Sequence, residues 1–123
     1  MDKTTHLNHI ENPLTTYFFK RKNRTLTNKN QCVKISLTNT ECKILELFII
    51  EHRRFITNQE LIKHLEKDSE NYKGLCMCFS RFQKKFEKYS HGEKLFRAVR
   101  NRGYYLIQNI EPLIETIENQ LNL

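Results

Sequence analysis

Two groups of cationic side chains stand out in the chain for their spacing. Lys73, Arg81, Lys84 and Lys88 recur at the intervals of one helical face, with Met77 and Ser80 among them, and Arg97, Arg100 and Arg102 crowd a short stretch around Gly103. Ammonium and guanidinium groups set out this way neutralise a row of phosphates, and a guanidinium can also bind a base edge through two parallel hydrogen bonds. The residue sets that catalysis needs are not apparent. His52, His64 and His91 each stand without the neighbours of a catalytic dyad. No Gly-rich phosphate loop, Ser/His/Asp set or paired-carboxylate pocket can be traced, so the chain is not expected to be an enzyme.

Metal and cofactor chemistry is not expected either. Cys76 and Cys78 are two positions apart, and at about 100° per residue they point to opposite sides of a helix, too far round to chelate one ion. His6 and His9 have ligand-like spacing but no further ligand cluster beside them. No export signal precedes Cys32, Cys42, Cys76 and Cys78, so free thiols are expected rather than a disulfide framework. A redox-sensing role for Cys76, which borders the basic face, is the weaker alternative.

The formal charge is +7 over 123 residues. That balance favours an anionic partner, nucleic acid or a membrane surface, without choosing between them. With 38% hydrophobic and 28% charged residues the chain is too apolar for wholesale disorder. Uninterrupted apolar runs, such as LFII at residues 47–50 and LCMCF at residues 75–79, are at most five residues, far short of the ~18 residues that would span a bilayer. The N-terminus has no apolar centre of the signal-peptide kind, so the expected compartment is the cytoplasm.

The elements that must position the cations follow from changes of period. Residues 1–15 read as a loose tail. Residues 16–36 hold short aromatic and β-branched runs with Asn- and Lys-rich breaks, which predicts a small antiparallel sheet. Thr38 followed by Glu41, and Thr57 followed by Glu60, are two capping boxes, each opening a helix. Ile44, Leu45, Phe48 and Ile49 face inward on the first; Leu61, Ile62 and Leu65 do so on the second. A third helix over residues 71–89 aligns Leu75, Phe79, Phe82 and Phe86 on one stripe, opposite the basic face. That stripe is read as core rather than as a base-stacking platform. Residues 95–99 and 104–107 read as a hairpin whose turn uses Gly103 for its freedom at φ > 0. Residues 108–123 are set apart, with a short amphipathic helix expected after Pro112 carrying Leu113, Ile114, Ile117 and Leu121.

A helix some 10–12 Å across fits a major groove ~12 Å wide, and a basic hairpin beside it can lie on the adjacent backbone or minor groove. The order of elements therefore predicts an α+β fold, a winged helix-turn-helix, over residues 16–107. The same residues resemble a known family. ISLTNTECKILELFI, ITNQELIKHL, FSRFQKKF and FRAVRNRGYYL look like the four signature blocks of the OmpR/PhoB-type winged-helix DNA-binding domain, in order. The resemblance implies a transcription regulator binding double-stranded DNA in a sequence-specific way. It implies that Lys73, Met77, Ser80, Arg81 and Lys84 face the groove and that Arg100 and Arg102 serve the wing; Lys88 on the same helix face and Arg97 beside the turn are expected, from their charge, to add phosphate contacts. Thr57 and Asn58, at the start of the second helix, are expected to meet phosphate.

No receiver-like stretch precedes the module in this sequence and no membrane segment follows it. A stand-alone regulator, or a ToxR/CadC-like module without its membrane segment, is therefore the expectation. The stretch HLEKDSENYKGLCMC lacks the Trp that often ends the second helix in this family. RNA polymerase and a second copy of the chain, as a dimer or in tandem on DNA, are candidate partners. The rival reading is a protein-interaction module or adaptor that uses the same fold to bind another regulator; an RNA- or membrane-surface-binding domain is a further rival. RNA readers display exposed aromatics, for which Tyr104 and Tyr105 are the best-placed residues.

Overall fold

The computed structural model describes residues 16–30, 32–65 and 72–113. Aromatic alternation starts the chain as strand β1 (Thr16–Lys20), which puts Tyr17 and Phe19 on the buried face. Strands β2 (Thr25–Asn28) and β3 (Lys34–Ser36) follow antiparallel. Their register aligns Phe19 with Leu26 and Leu26 with Ile35, a buried row across three strands.

Helix α1 (Asn39–Glu51) opens on the predicted capping box, in which the Thr38 hydroxyl accepts the Glu41 N–H at 3.1 Å and the Glu41 carboxylate accepts the Thr38 N–H at 2.9 Å. It stops at His52, whose left-handed φ of 54° turns its N–H back to Phe48 and Ile49. Strand β4 (Phe55–Thr57) leads directly into helix α2 (Asn58–His64), which carries the second box. Helix α3 (Tyr72–Tyr89) is the longest, and it ends where His91 turns left-handed at φ 62°, which brings the N–H of the following Gly92 onto the Glu87 carbonyl at 2.8 Å. The expected start at Asn71 lies outside the described residues.

The hairpin consists of β5 (Phe96–Val99) and β6 (Gly103–Leu106), and β4 joins it to give the sheet order β4-β6-β5. Its turn corrects the sequence expectation. Asn101, not Gly103, takes the left-handed conformation, at φ 61°. Gly103 is needed for another reason: a Cβ there would lie 2.1 Å from the Ile56 carbonyl oxygen, so only glycine lets β4 and β6 approach.

A second difference lies after the hairpin. Asn109–Pro112 form β7, which pairs parallel with β1 and completes a sheet of order β3-β2-β1-β7. The folded unit therefore extends beyond residue 107. Arg54 holds the crossing between the two sheets, its Nη1 donating to the carbonyls of Leu106 and Gln108 at 2.8 Å each and of Ile107 at 3.1 Å, and its Nη2 to Asn109 Oδ1. Residues 1–15 and the amphipathic pattern from Ile114 onward lie outside the described residues.

The two sheets and three helices share one core. Phe96 at the hairpin root is its hub, with ring centroids 5.5 Å from Phe48, 4.8 Å from Phe79 and 5.6 Å from Phe82. Tyr17 meets Phe86 edge-on at 5.0 Å and donates its hydroxyl to Glu93 Oε1 at 2.8 Å. Burial, and then Glu93, push the Tyr17 phenol far above its ordinary pKa, so it stays a donor.

Candidate nucleic-acid interface

Helix α3 presents two unlike sides. Leu75, Phe79, Phe82 and Phe86 are all at most 3% exposed. Opposite them Lys73, Met77, Ser80, Arg81, Lys84 and Lys88 all face outward. The apolar side pins the helix, and the outer side is left as a row of cations around Met77 and Ser80. Among the described residues, Lys73, Arg81 and Lys84 form no ion pair. Lys88 lies 5.5 Å from the centroid of the exposed Tyr89 ring.

Two polar ties hold α3 in place. Lys85 Nζ reaches Glu41 Oε1 at 2.6 Å and the Ser36 carbonyl at 2.8 Å, fastening α3 to the start of α1. On the other flank, Gln83 Oε1 accepts the N–H groups of Leu95 and Phe96 at 3.2 and 2.9 Å, fastening it to the hairpin. Gln83 Nε2, and then Lys94, donate to Glu87 and hold its carboxyl below the usual carboxylate value.

The hairpin carries the second group of cations. Arg97, Arg100 and Arg102 are exposed. The Arg97 guanidinium lies 5.1 Å from the Tyr105 ring centroid, so Tyr105 is partly covered. Tyr104 is buried, at 8% exposure, and its ring lies tilted against Phe79 with centroids 3.7 Å apart. Neither aromatic is the open platform that single-strand readers use. The Arg102 N–H closes the turn on the Val99 carbonyl at 2.9 Å, and the Arg102 carbonyl accepts the Asn58 N–H at 2.9 Å.

That last bond brings the start of α2 to the wing tip and uses up an amide expected to face phosphate. Thr57 is committed as well: its hydroxyl accepts the Glu60 N–H at 3.1 Å and its own N–H goes to Glu60 Oε1 at 2.9 Å. The Thr57 N–H, helped by Arg53 at 2.7 Å, holds the Glu60 carboxyl below its ordinary value, so an anion already occupies this helix end. Asn58 Oδ1 is buried with no hydrogen-bond partner among the described residues.

The family model described as "Transcriptional regulatory protein, C terminal" matches residues 30–106, well over half of the chain. The chain belongs to that family. The winged-helix domain is thus a DNA-binding regulator of transcription of the OmpR/PhoB type. Its fold is shared with the crystal structure of the response regulator AdeR DNA-binding domain in complex with an intercistronic region. The TM-score is 0.61 at 22% identity, over 76% of this chain and 94% of that one. No curated protein matches the winged-helix domain. Strands β1, β2 and β7 lie outside the residues that the family model matches.

Among the described residues no group of three or more His, Cys, Asp or Glu is placed to hold a metal, and no helix is long and apolar enough to cross a membrane. Cys32 is exposed, Cys42 buried, and Cys76 and Cys78 half-buried, all as free thiols. Sequence reasoning missed the residues that aim the site: Arg54, Gln83 and Lys85. Their only sequence signal is position, since each is one polar residue among many until the partner strand is known.

Proposed function

We propose that the winged-helix domain reads duplex DNA with α3 in the major groove and lays the β5–β6 wing on the adjacent backbone or minor groove. The observation that carries this reading is the split of α3 into an aromatic side locked in the core and an exposed cationic side. In this arrangement Lys73, Lys84 and Lys88 neutralise phosphates, and a subset of Met77, Ser80, Arg81 and Lys84 touches base edges. Arg97, Arg100 and Arg102 grip the flanking backbone. Thr57 and Asn58 border the same phosphate track, and their internal hydrogen bonds favour the task of holding the wing tip there. Work in the cytoplasm, binding as a dimer or in tandem, and contact with RNA polymerase belong to the same proposal; the stoichiometry of the DNA complex reads the second.

Selection of bound duplexes from a random library tests it. The expected result is an enriched motif whose advantage survives competitor DNA, with log affinity falling against log salt by about 0.9 per phosphate met. Equal, salt-sensitive binding to every duplex with no enriched motif would refute base reading by α3.

A further inference from the structure

If α3 and the wing read DNA as proposed above, they must arrive on the duplex together. Their direct packing is incomplete. A cleft of about 200 Å³ separates them, walled by Cys76, Ser80, Gln83 and Ala98, with the Phe79, Phe96 and Tyr104 rings also lining it. The Phe79, Phe82, Phe96 and Tyr104 ring contacts bridge the floor of the cleft, and β6 is held from its other side by β4, so the angle of β5 to α3 depends on the polar ties at the cleft wall.

Gln83 stands at the wall of that cleft, half-buried. Its Oε1 accepts the N–H groups of Leu95 and Phe96 at 3.2 and 2.9 Å, where the chain enters β5. Its Nε2 donates to Glu87 Oε2 at 2.9 Å, and the same oxygen takes Lys94 Nζ at 2.8 Å. Gln108 Nε2 donates to the Lys94 carbonyl at 2.7 Å and the Ile107 N–H to the Leu95 carbonyl at 2.8 Å, so the outgoing strand is held at the same point. The position calls for an acceptor toward the strand and a donor toward a carboxylate, which a neutral amide supplies in one side chain.

We propose that Gln83 is the positioning residue that makes the reading helix and the wing bind DNA as one unit, by fixing the entry of β5 against α3. Without it the Leu95 and Phe96 amides lose their acceptor and the wing root gains freedom. The tip stays tied to α2 through the Asn58 N–H, but contacts from Arg100 and Arg102 must then set the angle of the wing to α3 at the moment of binding, which lowers their effect on affinity.

A double-mutant cycle on the full chain, with the selected duplex, tests this. Arg102→Ala should weaken binding about tenfold in the parent and about threefold or less beside Gln83→Leu. The pair Gln83→Glu with Glu87→Gln keeps the net charge, the acceptor for the Leu95 and Phe96 amides and the hydrogen bond between positions 83 and 87 with donor and acceptor reversed, and gives up only the Lys94 bond to Glu87 Oε2. It should restore the full Arg102 effect, whereas Gln83→Glu alone should not; this arm decides the matter if Gln83→Leu fails to fold. Lys85→Met loosens α3 from α1 instead, and should leave the Arg102 effect intact. An Arg102 effect of equal size with and without Gln83, or one that Lys85→Met reduces as much, would overturn the proposal. A parent chain that binds no duplex would refute the DNA reading instead. Amide exchange at Asn101 and Arg102 would then decide the positioning role, faster in Gln83→Leu than in Lys85→Met if it holds and equal if it does not.

Discussion

The outward face of α3 and the start of α2 were both expected to meet DNA, and they differ in what their groups already hold. On α3 the ammonium and guanidinium groups of Lys73, Arg81 and Lys84 form no ion pair among the described residues. At the start of α2 the Thr57 hydroxyl, the Thr57 N–H and the Asn58 N–H are all satisfied within the chain. A polar group binds an outside partner only by giving up what it has or by having nothing to give up. In the proposed reading the first is the surface that takes the ligand and the second the joint that holds that surface in shape.

The largest effect should come from behind α3. Phe82 is fully buried and contacts Phe96, so Phe82→Ala should cost roughly 3–5 kcal/mol of stability. Thermal unfolding reads that loss. DNA binding should fail with the fold, while a stable variant that still binds would mean that the cationic face needs no rigid backing. Next, Thr57→Ala should remove a helix cap worth about 0.5–2 kcal/mol. Duplex affinity at a temperature where the variant is folded, and its salt slope, should change little. A slope that falls by about one unit would instead place a phosphate at Thr57 and erase the contrast. Lys84→Ala should show the opposite pattern, with stability within about 0.5 kcal/mol of the parent and a salt slope lower by about one unit on every duplex.

The smallest effect concerns pH. The Glu60 carboxyl is held below its ordinary value of 4.5 by the Thr57 N–H and then by Arg53. A lowered folded pKa contributes stability that is present above that ordinary value and is lost as pH falls through the folded one. Melting temperature should therefore drop below pH 4.5, and the drop should be shallower in Glu60→Gln. An equal drop would assign the acid sensitivity to other carboxylates, with Glu87, lowered by Gln83 and Lys94, the next to test.

Much of this was legible in the sequence because its signals are local. Both capping boxes formed as spaced, since Thr and Glu three residues apart satisfy each other without outside help. The Leu75, Phe79, Phe82, Phe86 stripe went to the core because helical period alone fixes which side is apolar. What stayed hidden depends on contacts between distant segments. Gly103 was read as a turn residue, but its cause is the Ile56 carbonyl, 47 positions away and invisible until β4 pairs with β6. Strand β7 has no period of its own that a four-residue run can show, and its partner β1 lies at the other end of the chain. The exposure of Arg81 could be foreseen; the ties at Gln83 and Lys85 that aim it could not.

The central claim, that the outer face of α3 reads bases, rests most directly on Arg81. Binding of the Arg81→Ala variant to the selected duplex and to a scrambled one, at one salt concentration, measures discrimination with phosphate attraction held constant. A loss of roughly 1–3 kcal/mol of preference for the selected duplex, with scrambled binding far less changed, is the predicted result. Equal weakening on both duplexes would contradict it and make Arg81 a backbone contact.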